Sequence, residues 1–385
     1  MKILILVFLT LGLAAFFISS CSTFGSLPQG EELDRVASSP NYDKDRKQFV
    51  NRQQDVLDEM RKKAFSWKVF KEWFGGNEAE RVPKNKLPEE KPDLQAFLED
   101  SEELKVIWFG HSSFLLNMEG KIILVDPVFS QAASPFSFLV KRFQPPILKL
   151  EELPEIDYIL ISHDHYDHLD METVQFFVDK KTEFITPLGV GEHIKSWGVD
   201  KSRVSEMDWW QETQRDQIKI IATPSQHFSG RGLVNQNHTL WASWVIQSSK
   251  HNVYFSGDTG YDVHFKDIGE KFGPFDIAFI ENGQYNPQWE EVHMLPEQAA
   301  QAYFDLKAKK FFPIHWGMFE LSLHSWYEPI VKISQLGEER DINIVAPKIG
   351  EMISVTDDLE TSNWWQNLMP KQLAEQEAGE PEPAL

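Results

Sequence analysis

Three of the chain's twelve histidines, His163, His165 and His168, fall within six residues of the stretch YILISHDHYDHLD (158–170), interleaved with Asp164 and Asp167. Imidazole and carboxylate together are ligands for zinc, iron or manganese. The apolar run IDYILI in front reads as a buried strand and LDMETVQFF behind as a helix. The cluster therefore lies on a strand-to-helix loop, where α/β proteins collect functional groups. Four donors on so tight a loop do not converge on one tetrahedral ion without strain. Alternation along the loop divides them, His163 and His165 toward one ion, Asp167 and His168 toward a neighbour. Each ion then needs ligands from other strand ends. His227 after IKIIATPSQ, Asp258 after NVYFSG and His315 after KFFPI occupy such positions.

The elements that must hold these residues recur from Leu104 to about Val355. LKVIWFG, KIILVDP, IDYILIS, TEFITP, IKIIATP, LWASWVI, NVYFSGD, FDIAFIE, KFFPIHW and INIVAPKIG are strand-length, β-branched or aromatic, and stopped by Gly, Pro or Asp. METVQFFVDK and PEQAAQAYFDLKAK carry helical periodicity. The expectation is one mixed α/β domain over 104–355 with at least one large sheet. A formal net charge of -21 argues against a nucleic-acid partner, which needs a basic face.

Outside that domain the texture differs. Residues 1–21, MKILILVFLTLGLAAFFISSC, have one Lys, an apolar run and a small-residue exit, the pattern of an export signal. Ile18-Ser19-Ser20-Cys21 resembles the lipobox of bacterial lipoproteins, which implies lipid on Cys21 and an exported, membrane-anchored chain. Ser22 after the cysteine implies sorting to the outer membrane, facing the periplasm. An uncleaved membrane anchor is the competing reading. Cys21 is the only cysteine, so no intrachain disulfide forms. Residues 22–103 read as a polar tether followed by a partly helical extension. There Phe65, Trp67, Phe70, Trp73 and Phe74 share one helical face, suited either to a membrane surface or to packing on the main domain. Residues 356–385 read as an acidic C-terminal tail, whose end, QLAEQEAGEPEPAL, reads as disordered.

Taken together, HDHYDH, SQH, SGDTG and PIHWG resemble the metallo-β-lactamase superfamily of dinuclear hydrolases. The resemblance implies an αββα sandwich, two mixed sheets flanked by helices, with the site at their edge. It implies that His163, His165 and His227 bind one metal and Asp167, His168 and His315 the other, with Asp258 bridging. Two Zn2+ ions are the implied cofactors, iron or manganese the substitutes. WFGHSSFLL, LVDPVFS, HMLPEQA and IHWGMF narrow the likeness to N-acyl-phosphatidylethanolamine-hydrolysing phospholipase D and its bacterial relatives. These are zinc phosphodiesterases of membrane phospholipids. A metal-bridging hydroxide is then the expected nucleophile. Asp167 would accept its hydrogen bond or proton, and His293 would steady a phosphoryl oxygen. The same site equally serves a lactonase or carboxylic-ester hydrolase. Asp126, after KIILV, reads as a carboxylate orienting a metal-bound imidazole or as a turn-forming Asp-Pro. His111 reads as a structural residue of the first hairpin. His193, His238, His251, His264 and His324 read as ordinary surface or loop residues, and Trp209, Trp210, Trp241, Trp244 and Trp316 either as an apolar entrance for acyl chains or as packed core.

Overall fold

The structure, a computed structural model, describes residues 22–64, 66–74, 79–99, 102–232, 236–356 and 358–370. The expected lipid-bearing Cys21 and the last fifteen residues of the expected tail lie outside the described residues, as does Phe65.

Two sheets face each other. The first holds β1 (Lys105–Trp108), β2 (Phe114–Met118), β3 (Lys121–Val125), β4 (Tyr158–Leu160), β5 (Glu183–Pro187) and β6 (Val204–Met207). The second holds β7 (Glu212–Arg215), β8 (Ile218–Thr223), β9 (Ser243–Gln247), β10 (Asn252–Phe255), β11 (Ile277–Glu281) and β12 (Phe311–Ile314), after which β13 (Met352–Ser354) returns to the edge of the first. Their orders are β13-β1-β2-β3-β4-β5-β6 and β12-β11-β10-β9-β8-β7. Both follow one plan, in which antiparallel hairpins pass into parallel strands, at β3–β4 in the first and β10–β11 in the second.

Most strands are buried on both faces, which is why the sequence shows continuous apolar runs rather than alternation. The pleat still sorts them. Val106, Trp108 and Val125 enter the core between the sheets, while Ile107, Leu115 and Leu124 join a second cluster. Val174 and Ile194, from the helices Met171–Phe176 and Gly191–Ser196, cover that second cluster. Across the sandwich the Phe114 and Phe279 rings stack at 4.0 Å. The helices His264–Phe272, Pro296–Asp305 and Glu328–Arg340 flank the second sheet. This is the αββα sandwich.

Three expectations fail locally. INIVAPKIG forms no strand: it makes isolated bridges through Ile344 and Ile349, and Pro347 between them has no N–H for a ladder. Residues 22–49 are no free tether, because Val36 and Phe49 are buried against Leu188, Leu240 and Trp241. The folded body also runs past Val355, since Trp364 and Trp365 pack beside Trp316. The helix Gln54–Ala64 seats Leu57 and Met60 on the body, whereas the separate helix Trp67–Phe74 leaves Trp67 67% exposed.

Candidate metal centre

Every ligand-type side chain singled out from the sequence comes to the same edge of the sandwich. Asp126 follows β3, the 163–168 cluster follows β4, His227 follows β8, Asp258 follows β10 and His315 follows β12. Carboxyl ends of parallel strands collect sites because the loops there are free to vary over a rigid base. The backbone is strained where it turns inward: φ is +54° at His111, +37° at Asp126 and +69° at His315. At Gly257 (φ +56°) a Cβ would stand 2.8 Å from Ser162 Cβ, so only glycine lets the Asp258 loop approach the histidine loop.

Hydrogen bonds at the back of each ring set the direction of its lone pair. Asp126 accepts from the Ser162 N–H (2.7 Å), from Ser162 Oγ–H and from His168 Nδ1–H (2.7 Å). Ser162 Oγ, its proton committed to Asp126, accepts from His163 Nδ1–H at 2.9 Å. His227 Nδ1–H donates to the Val292 carbonyl at 3.2 Å. The Nε2 atoms of His163, His168 and His227 therefore all present lone pairs to the cleft.

Those atoms form two adjoining groups. His165 Nδ1 stands 2.8 Å from His163 Nε2 and 3.3 Å from His227 Nε2. Ligands of one tetrahedral zinc at ~2.0–2.1 Å would lie roughly 3.3 Å apart. The second group is His111, Asp167, His168 and His315, with Asp167 Oδ2 3.0 Å from His111 Nε2 and 3.5 Å from His168 Nε2. Asp258 reaches both groups. Its Oδ2 is 3.1 Å from His168 Nε2 and 3.8 Å from both His163 Nε2 and His227 Nε2, and its Oδ1 is 3.0 Å from His315 Nδ1.

Burial lowers the pKa of His163, His165 and His227, and pushes His315 down to about 3, so these rings stay neutral, the ligating form. Burial works against ionised Asp167 and Asp258, but His168 with His111, and His168 with His315, overcome it and hold both carboxylates well below their usual range. His168 is raised despite burial, by Asp258 and Asp167. Buried His168 Nε2 and Asp258 Oδ1 have no hydrogen-bond partner among the described residues, an arrangement costly without a cation between them. The donor set fits divalent metal.

His293 lies beside this set. Its ring stacks over His315 at 5.1 Å, and its Nδ1 is 3.1 Å from Glu281 Oε1. Burial alone would lower its pKa, but the Glu281 hydrogen bond raises it above the ordinary value. The remaining Glu281 oxygen accepts the Met294 N–H at 3.0 Å. Sequence reasoning missed Glu281, although it ends the run FDIAFIE in the strand-end position used to find the others. It also gave His111 a purely structural role. The backbone of His111 does bridge to Trp316, but its side chain enters the ligand group.

Other expectations separate from the site. His193 and His264 are buried, not surface residues, and His193 pairs with Asp164 at 3.2 Å. Trp241, Trp244 and Trp316 are core residues whose indole N–H groups bond Ser225, Ile161 and Pro313 carbonyls, so they line no entrance. Trp209 and Trp210 border a cavity of about 370 Å³ next to Gln226 and Asp262.

A family profile described as the beta-lactamase superfamily domain matches residues 121–316. A protein of Mycobacterium tuberculosis described as uncharacterized is 40% identical over 289 residues, 74% of this chain and 77% of that one. N-acyl-phosphatidylethanolamine-hydrolyzing phospholipase D 1 of Caenorhabditis elegans is 36% identical over 268 residues, 65% of this chain and 75% of its own length. Among solved structures, isothiocyanate hydrolase from Delia radicum gut bacteria superposes with a TM-score of 0.53 at 20% identity, covering 65% of this chain and 98% of that one.

Proposed function

This chain belongs to the beta-lactamase superfamily and is a metal-dependent hydrolase; on that premise we propose that it is a phospholipase D-type phosphodiesterase acting on N-acyl-phosphatidylethanolamine or a related membrane phospholipid. The observation that carries the reading is the 36% identity to the nematode phospholipase over three quarters of that enzyme. A second feature favours an anionic substrate. The Arg61 guanidinium lies 5.4 Å from the centre of the Phe228 ring, which itself touches the rings of His165 and His227. Among the described residues no carboxylate forms an ion pair with Arg61, and Asp58 is the one acid acting on it from a distance. A half-buried guanidinium held only by the Asn237 amide oxygen, at 3.5 Å, and with no carboxylate against it among the described residues is a natural phosphate partner.

Two divalent ions, zinc by ligand chemistry with iron or manganese as substitutes, would be held by His163, His165 and His227 and by Asp167, His168 and His315, with Asp258 reaching both. When bound, such a pair supplies an activated water and a clamp for the oxygens of an in-line displacement. The chain supplies the rest. Asp126 and Ser162 fix the rings of His168 and His163. Asp167, kept ionised and steadied by His111, accepts the proton or hydrogen bond of the attacking water. His293, with Nδ1–H on Glu281, offers Nε2–H to a phosphoryl or leaving-group oxygen, and the Glu281 hydrogen bond shifts its pKa upward, in favour of the protonated donor. Lipid on Cys21 would hold the exported chain at the outer membrane, beside this substrate.

The test is product release from a panel of phospholipids, lactones and carboxylic esters by purified, metal-analysed protein. Phosphatidic acid from an N-acylated phospholipid, with about two zinc ions per chain, is the expected result. Turnover of lactones or esters alone would transfer the function to carbonyl chemistry on the same site.

A further inference from the structure

The segment Asn51-Arg52-Gln53 lies far in sequence from the sandwich, yet it ties together two of its loops. Asn51, 5% exposed, donates from Nδ2 to the His227 carbonyl at 2.7 Å and accepts the His227 N–H on Oδ1 at 3.1 Å. A side-chain amide thus satisfies both peptide groups of one residue, as a neighbouring strand would. Asn51 is itself held, since Gln54 Oε1 accepts its backbone N–H at 3.0 Å. The next two residues grip the other loop. Arg52 Nε donates to Asp262 Oδ2 at 2.7 Å, and Gln53 Nε2 to Asp262 Oδ1 at 3.0 Å. Asp262 stands four residues beyond Asp258, on a loop joined to that of His227 by Gly260 N–H to the Gln226 carbonyl and Gln226 N–H to Thr259 Oγ1, both 2.9 Å.

The helix that follows reaches His227 from its other side. Leu57 and Met60 pack on Val292, whose carbonyl orients the His227 ring. Peptide and imidazole of one residue are therefore both set by residues 51–60. We infer that Asn51 is a positioning residue for His227, and that the 51–60 segment acts as a staple on which occupancy of the His163/His165/His227 metal position depends. An Nε2 atom displaced by even ~0.5 Å leaves productive ligand geometry, and partners that orient a ligand are worth roughly 10–100-fold in metal affinity. Among the described residues Asn51 makes no hydrogen bond to Asp167, His168 or His315, so its loss leaves the ion of that position in place. The inference rests on the metal assignment proposed above.

The experiment compares wild type with Asn51→Ala, Asn51→Asp and His227→Ala, each loaded with cobalt(II), then dialysed against a chelator. Metal per chain, rate of cobalt loss and the visible cobalt spectrum are read, with the melting temperature of the metal-free chain as the control for folding. Asn51→Ala is expected to lose one class of cobalt ~10–100-fold faster and to match the His227→Ala spectrum, while the other class is retained. Asn51→Asp keeps the acceptor for the His227 N–H but sets a carboxylate oxygen against the His227 carbonyl, so its loss rate is at least that of Asn51→Ala. Wild-type rates in Asn51→Ala, beside a clear loss in His227→Ala, overturn the staple alone. Unchanged cobalt in His227→Ala overturns the metal assignment beneath it. Equal loss of both classes from a chain of lowered melting temperature also overturns the inference, because that is the signature of general destabilisation.

Discussion

The 161–170 loop has two sides, built from alternate residues and opposite in character. Toward the cleft, His163, His165, Asp167 and His168 meet other histidines and Asp258, and buried atoms such as His168 Nε2 have no hydrogen-bond partner among the described residues. Toward the back, Asp164 is fully buried and fully satisfied. It accepts from His193 Nε2 (3.2 Å), Gly230 N–H (2.7 Å) and Thr239 Oγ1 (2.8 Å). Behind it Arg231 bonds the Asp164 and Leu169 carbonyls and lies over the Tyr166 ring at 3.9 Å. Both sides are dense in charge and imidazole, and neither density nor burial tells them apart. Convergence does: on the back the partners saturate the Asp164 oxygens and only His193 Nδ1 is left over among the described residues, whereas on the cleft side several lone pairs face one another, the arrangement that holds a ligand.

The contrast is broken most severely by His165→Ala. On the cleft side it is expected to abolish metal retention at its position and activity together, while circular dichroism and cooperative melting persist; retained metal with full turnover would erase the distinction. Asp164→Ala strikes one residue away and does the reverse. Breaking one partner out of a buried charged network costs roughly 3–5 kcal/mol, so denaturant melts should show that loss. Metal analysis of the fraction still folded should find wild-type content.

Acid sharpens the same comparison at a second structural histidine. Burial drops the His264 pKa to about 4, with Asp262 opposing and Arg52 reinforcing the shift. The folded value lies below the ordinary one of 6.5, so the unfolded chain binds the proton first. Stability from this residue is present above pH ~6.5 and falls by about 3 kcal/mol as pH drops toward 4. In metal-free protein, His264→Gln should flatten the melting profile in that window; an unaltered slope would mean that other groups carry it. The smallest effect is expected at the cleft mouth. Arg61→Met should raise the KM for a phosphodiester and the inhibition constant of inorganic phosphate about tenfold, the worth of one charged hydrogen bond, at unchanged metal content. A neutral ester should not notice the change.

The sequence made the cleft side legible because its residues share one context, the end of a short apolar strand, and because four of them crowd one loop. The same context would have yielded Glu281, which ends its strand as the others follow theirs. Asp164 received no role because alternation turns it away from the ligand histidines on either side, and its partner His193 is an ordinary helix residue until folded. Trp241, Trp244 and Trp316 misled because an indole reads alike in a core and at an entrance until its N–H finds a carbonyl. Asn51 carried no signal: an amide 176 residues from His227, in a polar stretch resembling a tether, becomes part of the site only when the chain closes on itself.

Hydrolysis of N-acylated phospholipid in ¹⁸O-water, by the zinc-restored full chain, tests the central claim most directly. Attack at phosphorus places the label in the phosphoryl group of phosphatidic acid and leaves the released N-acyl alcohol unlabelled. Label in a fatty-acid carboxylate, with the phosphodiester intact, would contradict it.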